Sequence, residues 1–100
     1  MGARVERALD ALGSPTRRAI VRMLTAGPRA VGEIAEPLPI SRPAVSKHLR
    51  LLEDARLVKH EARGNRTVFA LDSTGFDLVR AWLDDFWDDA LPRFIAEAEK

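Results

Sequence analysis

"SRPAVSKHLRLLEDARLV", Ser41 to Val58, decides how this chain folds. Val45, Leu49 and Leu52 are spaced four and three apart, the period of one buried helix face. With Arg42 set at zero and about 100° per residue, those three cluster near ~280–340°. Pro43, Lys47, Arg50 and Asp54 fall at about 80–140°, and Ser46 at about 40°. The helix therefore carries an apolar seam on one side. On the other, over its first half, it carries an exposed row of Arg42, Pro43, Ser46, Lys47 and Arg50. Glu53 and Asp54 come late, away from that end. Ser41 is placed to cap the helix, and Pro43 sits in the first turn, where its missing N–H costs little.

The flanking segments read outward from this helix. "LPIS" (38–41) joins it to a short helix over about 31–37, with Val31, Ile34 and Leu38 inward and Pro37 truncating it. Ala30 offers no capping side chain. Two helices joined by about four residues, the second capped and basic, outline a helix–turn–helix. Further upstream, Val5, Ala8, Leu9 and Leu12 predict a first helix over 3–12 that ends at Gly13. Ser14-Pro15 then reads as cap and first position of a second helix with Ile20, Val21 and Leu24 inward, stopped by Gly27-Pro28. Arg17, Arg18 and Arg22 on that helix suit either phosphates or a solvated face.

After Leu57 the period changes from helical to extended. "LVKHEA" and "RTVFAL" flank "RGN", with Gly64 and Asn65 able to take positive φ, which predicts a β-hairpin. Asp72-Ser73-Thr74 opens a last helix, with Thr74 and Asp77 resembling a capping box. Its apolar stripe includes Phe76, Val79, Trp82, Leu83, Phe86, Trp87, Leu91, Phe94 and Ile95, and Pro92 is expected to kink or break it near 88–91. The fold class expected is mostly α with a small β-hairpin, in the order α-α-α-α-β-β-α. That is one winged helix–turn–helix domain over 1–100. Residues 31–54 form the helix–turn–helix and 57–71 the wing, with 1–13 and 74–100 as dimerisation helices.

Composition agrees with one globular domain: 100 residues, 46% apolar and 31% charged. The net charge of +1 hides an asymmetry. Residues 1–71 carry 13 Lys and Arg against 7 Asp and Glu, whereas residues 72–100 carry 3 against 8. A basic body with an acidic last helix suits a polyanionic partner on one side. The chain has no cysteine, which removes disulfides and thiolate metal sites. The N-terminal stretch has neither the pattern of a signal peptide nor that of a membrane span. Two histidines, no cysteine and no Gly-rich phosphate loop leave no catalytic constellation, so an enzyme is not expected.

These features point to double-stranded DNA. A major groove admits an α-helix with its N-terminal residues nearest the bases. Arginine forks onto guanine, serine bonds either way, and Pro43 offers apolar surface to a thymine methyl. His48 lies at the border of the core face, where a structural hydrogen bond and a phosphate contact are equally open. Lys59 and His60 put further charge along the hairpin. Arg63, Asn65 and Arg66 stand at its tip, placed to enter a minor groove or grip phosphate. One such domain would bind weakly, so two copies reading a palindromic operator are expected. Val5 and Leu9 on the first helix, with Val79, Trp82, Leu83, Phe86, Trp87 and Phe94 on the last, are the expected dimer surface.

The segment from Leu12 to Leu71, with "SPTRRAIVRML", "ISRPAVSKHLRLLEDARLV" and "RGNRTVFAL" as its most specific pieces, resembles the arsenic-repressor (ArsR) family of bacterial winged helix–turn–helix regulators. The resemblance implies a homodimeric repressor, cytoplasmic and nucleoid-associated, paired through its first and last helices. It assigns Ser41, Arg42, Pro43, Ser46, Lys47 and His48 to the recognition helix. Many members release DNA on binding a ligand, often a metal held by cysteines or by Asp, His and Glu of the last helix. This chain has no such cysteine, and its last helix has Asp84, Asp85, Asp88 and Asp89 but no histidine, so no metal or cofactor is expected. An organic effector of unknown identity remains open. So does a second reading, a winged-helix protein-interaction module that docks through its aromatic last helix.

Overall fold

In the computed structural model, which describes residues 2–99, the elements run α1 (Ala3–Ala11), α2 (Pro15–Leu24), β1 (Arg29–Ala30), α3 (Val31–Ala35), α4 (Arg42–Asp54), β2 (Val58–Arg63), β3 (Arg66–Leu71) and α5 (Ser73–Ala98). The helix starts follow from their capping residues. Ser14 Oγ accepts the Arg17 backbone N–H at 3.2 Å with Pro15 opening the helix, and Ser41 Oγ accepts the Ala44 N–H at 3.2 Å. Each such cap contributes about 0.5–2 kcal/mol. Helix α3 has no side-chain cap of this kind, but Glu33 reaches back to accept the Ala30 N–H at 3.0 Å. Apolar seams of α2, α3 and α4 meet in one core in which Ile20, Ile34, Val45, Leu49, Leu52, Leu57 and Val58 are fully buried. Burial of each contributes about 1.5–3 kcal/mol.

Two expectations need correction and a third is narrowed. The wing is not a lone hairpin: β1 adds a third strand, in the order β1-β3-β2, pairing Arg29 with Phe69 and Ala30 with Val68. A two-residue strand leaves no period to read, so only the pairing reveals it. Asp72, rather than Thr74 with Asp77, caps the last helix, its Oδ1 accepting the Thr74 N–H at 3.0 Å. The next free N–H of that first turn, on Gly75, donates to the Arg56 carbonyl at 2.7 Å, so the turn is satisfied without a box. Of the two outcomes expected at Pro92, a break does not occur, since α5 continues to Ala98. The Asp88 carbonyl that loses its partner there lies on an exposed residue, where water can serve it. The hairpin register pairs Arg63 with Arg66 across Gly64-Asn65. Gly64 has φ +63° while Asn65 is not in the positive region, the pattern of a II′ turn.

The junction between α4 and the wing sets their relative direction. Ala55 ends α4, Arg56 turns left-handed at φ 61°, and the Arg56 and Leu57 N–H groups return to the carbonyls of Glu53 and Leu52, both at 3.0 Å. This is a Schellman turn with arginine where glycine is usual. Gly75 of α5 lies directly on it: a Cβ there would stand 2.6 Å from the Ala55 carbonyl oxygen and 2.7 Å from that of Arg56. Glycine thus lets the start of α5 dock onto the end of α4. Helix α1 packs on α5 and α4. Beyond this contact α5 projects, giving a molecule 61 Å long and 25 by 23 Å across.

Candidate nucleic-acid interface

Burial of Val45, Leu49 and Leu52 turns the opposite side of α4 outward. Arg42, Pro43, Lys47 and Arg50 are exposed and Ser46 is half-buried, so the row read from the sequence stands on one surface. Among the described residues, no carboxylate forms an ion pair with Arg42, Lys47 or Arg50. Ser41 is exposed but its Oγ is engaged as the cap. The Arg42 guanidinium lies across the first turn of α3, with Nη2 3.0 Å from where a Cβ on residue 32 would be, and Gly32 leaves that space.

The wing stands beside this row and is tied to the helix–turn–helix at two points. Arg66 Nη2 donates to Glu33 Oε1 at 2.5 Å, linking β3 to α3. His60 Nδ1 meets Glu53 Oε2, linking β2 to α4, and the His60 ring rests on Phe69 with centroids 5.7 Å apart. A cleft of about 210 Å³ lined by Ser46, Arg50, Glu53, His60, Thr67 and Phe69 separates the recognition helix from the wing. Arg63 Nε and Nη2 grip Glu61 Oε1 at 2.9 and 2.7 Å within their own strand. The two tip arginines are thus partnered by carboxylates, while Asn65 is exposed at the turn. Such exposed pairs contribute only about 0–1 kcal/mol and leave the arginines exchangeable with an outside anion. The Ala30 N–H, and next the Arg66 charge, hold the Glu33 carboxyl below the usual carboxylate range.

His48 does not belong to the exposed row. It is half-buried and turned toward α2, where Arg17 Nη1 donates to its Nδ1 at 3.3 Å. Burial, then the charges of Arg17 and Lys47, lower its pKa below the ordinary 6.5. Arg17 and Arg18 are likewise occupied. Arg17 Nε donates to the Ala11 carbonyl at 2.7 Å and Nη2 to that of Asp10 at 3.4 Å, while Arg18 Nη1 donates to that of Leu12 at 2.8 Å. Both arginines satisfy the open carbonyl end of α1. The signal was present in "SPTR": the Ser14 cap fixes the backbone of the third helical residue, which then points back along the incoming chain.

On the pairing surface the expected residues divide. Val5 is 5% exposed and already buried within its own chain, and Val79 packs on the core. Leu9 and Trp82 are half-buried. Leu83, Phe86, Trp87 and Phe94 are exposed, Phe94 to 56%, with Leu91 and Ile95 beside them. Trp82 and Phe86 stack at 5.9 Å, and Trp87 touches both Phe86 and Phe94. Among the described residues no group of three or more His, Cys, Asp or Glu side chains is placed to hold a metal ion. No described helix is long and apolar enough to cross a membrane.

Known proteins share this arrangement. A family profile described as a helix-turn-helix domain matches residues 12–61. The HTH-type transcriptional regulator Rv2034 of Mycobacterium tuberculosis is 55% identical over 86 residues, spanning 86% of this chain and 80% of the relative. The transcriptional repressor SdpR of Bacillus subtilis is 33% identical over 76 residues, 76% of this chain and 84% of that one. The crystal structure of the ArsR family transcriptional regulator RHA00566 superposes with a TM-score of 0.79 at 32% identity, covering 85% of this chain and 88% of that one. With its capped basic helix, its braced wing and these relatives, the chain belongs to the ArsR family of winged helix–turn–helix DNA-binding transcriptional regulators.

Proposed function

We propose that the protein is a homodimeric transcriptional repressor that reads a palindromic operator through two α4 helices. The observation that carries this is the row of Arg42, Lys47 and Arg50, exposed and without carboxylate partners beside the wing. In this reading Arg42, Pro43, Ser46 and Arg50 meet base edges, and Lys47 meets phosphate. Ser41 acts by holding the helix start, and His48, turned toward α2, acts by holding the helix in position through Arg17. Arg63, Asn65 and Arg66 approach the neighbouring groove, with Arg63 and Arg66 exchanging their carboxylates for phosphate oxygens. Pairing buries the exposed face of α5 from Leu83 to Phe94 together with Leu9 of α1. Residues 1–13 and from 74 onward thus pair the chains, 31–54 read the DNA and 57–71 support the reading. The protein would act in the cytoplasm on the nucleoid.

Control is metal-independent in this reading, since the chain has no cysteine and α5 no histidine. An organic effector would then be what releases the operator. The test is selection of bound fragments from random DNA by the purified protein, followed by mobility shifts over a salt series. With 6–10 phosphate contacts per dimer, affinity should fall about 10³–10⁵-fold between 50 and 200 mM salt. A flat salt response, or no enriched palindrome, would overturn the reading. The exposed aromatic face favours one alternative, a module that docks another protein. A stable dimer in sedimentation equilibrium, with that face covered, argues against it.

A further inference from the structure

We propose that Arg17 is the positioning residue of the recognition helix, a strut that ties His48 of α4 to the carbonyl end of α1 and so makes the aim of the DNA-reading face depend on a helix of the dimer surface. The inference rests on the function proposed above. One guanidinium spans three helices. Its backbone is anchored on Ser14 at the start of α2. Its Nε and Nη2 hold Ala11 and Asp10 of α1, and its Nη1 reaches His48 Nδ1 at 3.3 Å. A guanidinium has no acceptor, so this contact is a hydrogen bond only if Nδ1 carries no proton. Arg17 therefore selects the Nε2–H tautomer of neutral His48 and fixes the turn of its ring.

The surroundings make the strut consequential. Next to it a cleft of about 390 Å³, lined by Arg7, Asp10, Ala11, Arg17, Leu51 and Asp54, separates α1 from α4. Leu51 is 41% exposed there, so apolar packing between the two helices is incomplete on this side. Arg17 bridges them beside that gap. His48 lies one residue after Lys47 and two before Arg50, so a rotation of α4 about its axis moves both cations of the exposed row. Charges bearing on His48 are Arg17 from α2 and Lys47 on α4, with Arg7 and Asp10 of α1 and Asp54 of α4 around the cleft.

The experiment compares wild type with Arg17→Met, His48→Leu and His48→Asn, using full-length protein and the DNA fragment selected by the wild type. Asparagine returns an acceptor at the position of Nδ1, whereas leucine does not. Nitrogen-15 spectra of the free protein should show His48 as a single Nε2–H tautomer in the wild type and as a mixture in Arg17→Met. Arg17→Met and His48→Leu should each weaken specific binding about tenfold, the double variant no further, and His48→Asn should stay within threefold of wild type. Binding to random-sequence DNA at low salt should stay within about twofold in all variants. A Nδ1–H tautomer in the wild type, additive losses, or equal losses on specific and random DNA would each overturn the strut. Because the tautomer is read without DNA, a wild type that fails to bind DNA would refute the proposed function while the spectra still judge the Arg17–His48 bond.

Discussion

At the scale of single residues, backbone geometry makes the sharpest demands. Alanine at position 75 would place its Cβ within 2.7 Å of two carbonyl oxygens that belong to a hydrogen-bonded turn. Gly75→Ala should therefore destabilise the fold by about 3 kcal/mol, seen as a lower urea midpoint. Arg56→Gly should act oppositely. It relieves a left-handed residue and should raise stability by about 1 kcal/mol in the same measurement. His48 adds a pH dependence. Its pKa is lowered in the folded chain, so the unfolded chain takes up a proton first as pH falls below 6.5. Its contribution is full above that value and is lost as pH drops toward the folded-state pKa. Wild-type urea midpoints should decline from pH 7 into this window, and His48→Asn should flatten the decline there. Below it, Asp72 and Glu33, lowered by the Thr74 and Ala30 N–H groups respectively, lose their contributions as they protonate.

At the scale of elements, the wing and the helix–turn–helix form one unit because Arg66–Glu33 ties the wing to α3 and His60–Glu53 ties it to α4. Removing a phosphate-gripping cation should lower the slope of log affinity against log salt by about 1, without altering the preferred sequence. Lys47→Ala and Arg66→Ala should both behave so in mobility shifts. Arg42→Ala should instead lose affinity for the selected site alone, by about 1–3 kcal/mol, as expected of a base contact. The α4 wheel was legible because burial of three residues at helical spacing leaves only one side for the rest. The pairing of Arg66 with Glu33 was not, because 33 residues separate the partners and only the sheet brings them together.

At the scale of the molecule, α5 is the decisive part. Its 26 residues extend about 39 Å, longer than the body can cover. The uncovered portion holds Phe86, Trp87 and Phe94, each roughly half exposed. Phe86→Asp with Phe94→Asp should convert a dimer into a monomer in sedimentation equilibrium. The far-ultraviolet circular dichroism of the body should survive, because neither residue belongs to its core. Operator affinity of that monomer should fall at least 100-fold, since the second half-site would no longer be presented at high effective concentration.

Local chemistry determined much of this protein from the sequence alone. Caps at Ser14 and Ser41, the seam of Val45, Leu49 and Leu52, and the Gly64 turn each act within a few residues, so their spacing already specifies the element. The exposed row of α4 follows from the same spacing. Tertiary structure decided what depends on segments distant along the chain. It placed β1 against β3, set Gly75 on the α4 turn, buried Val5 within its own chain, and gave Arg17 to α1 and His48 instead of to solvent. Such contacts carry no period, because a side chain's partner across the fold is chosen by how helices and strands pack and not by its neighbours in sequence.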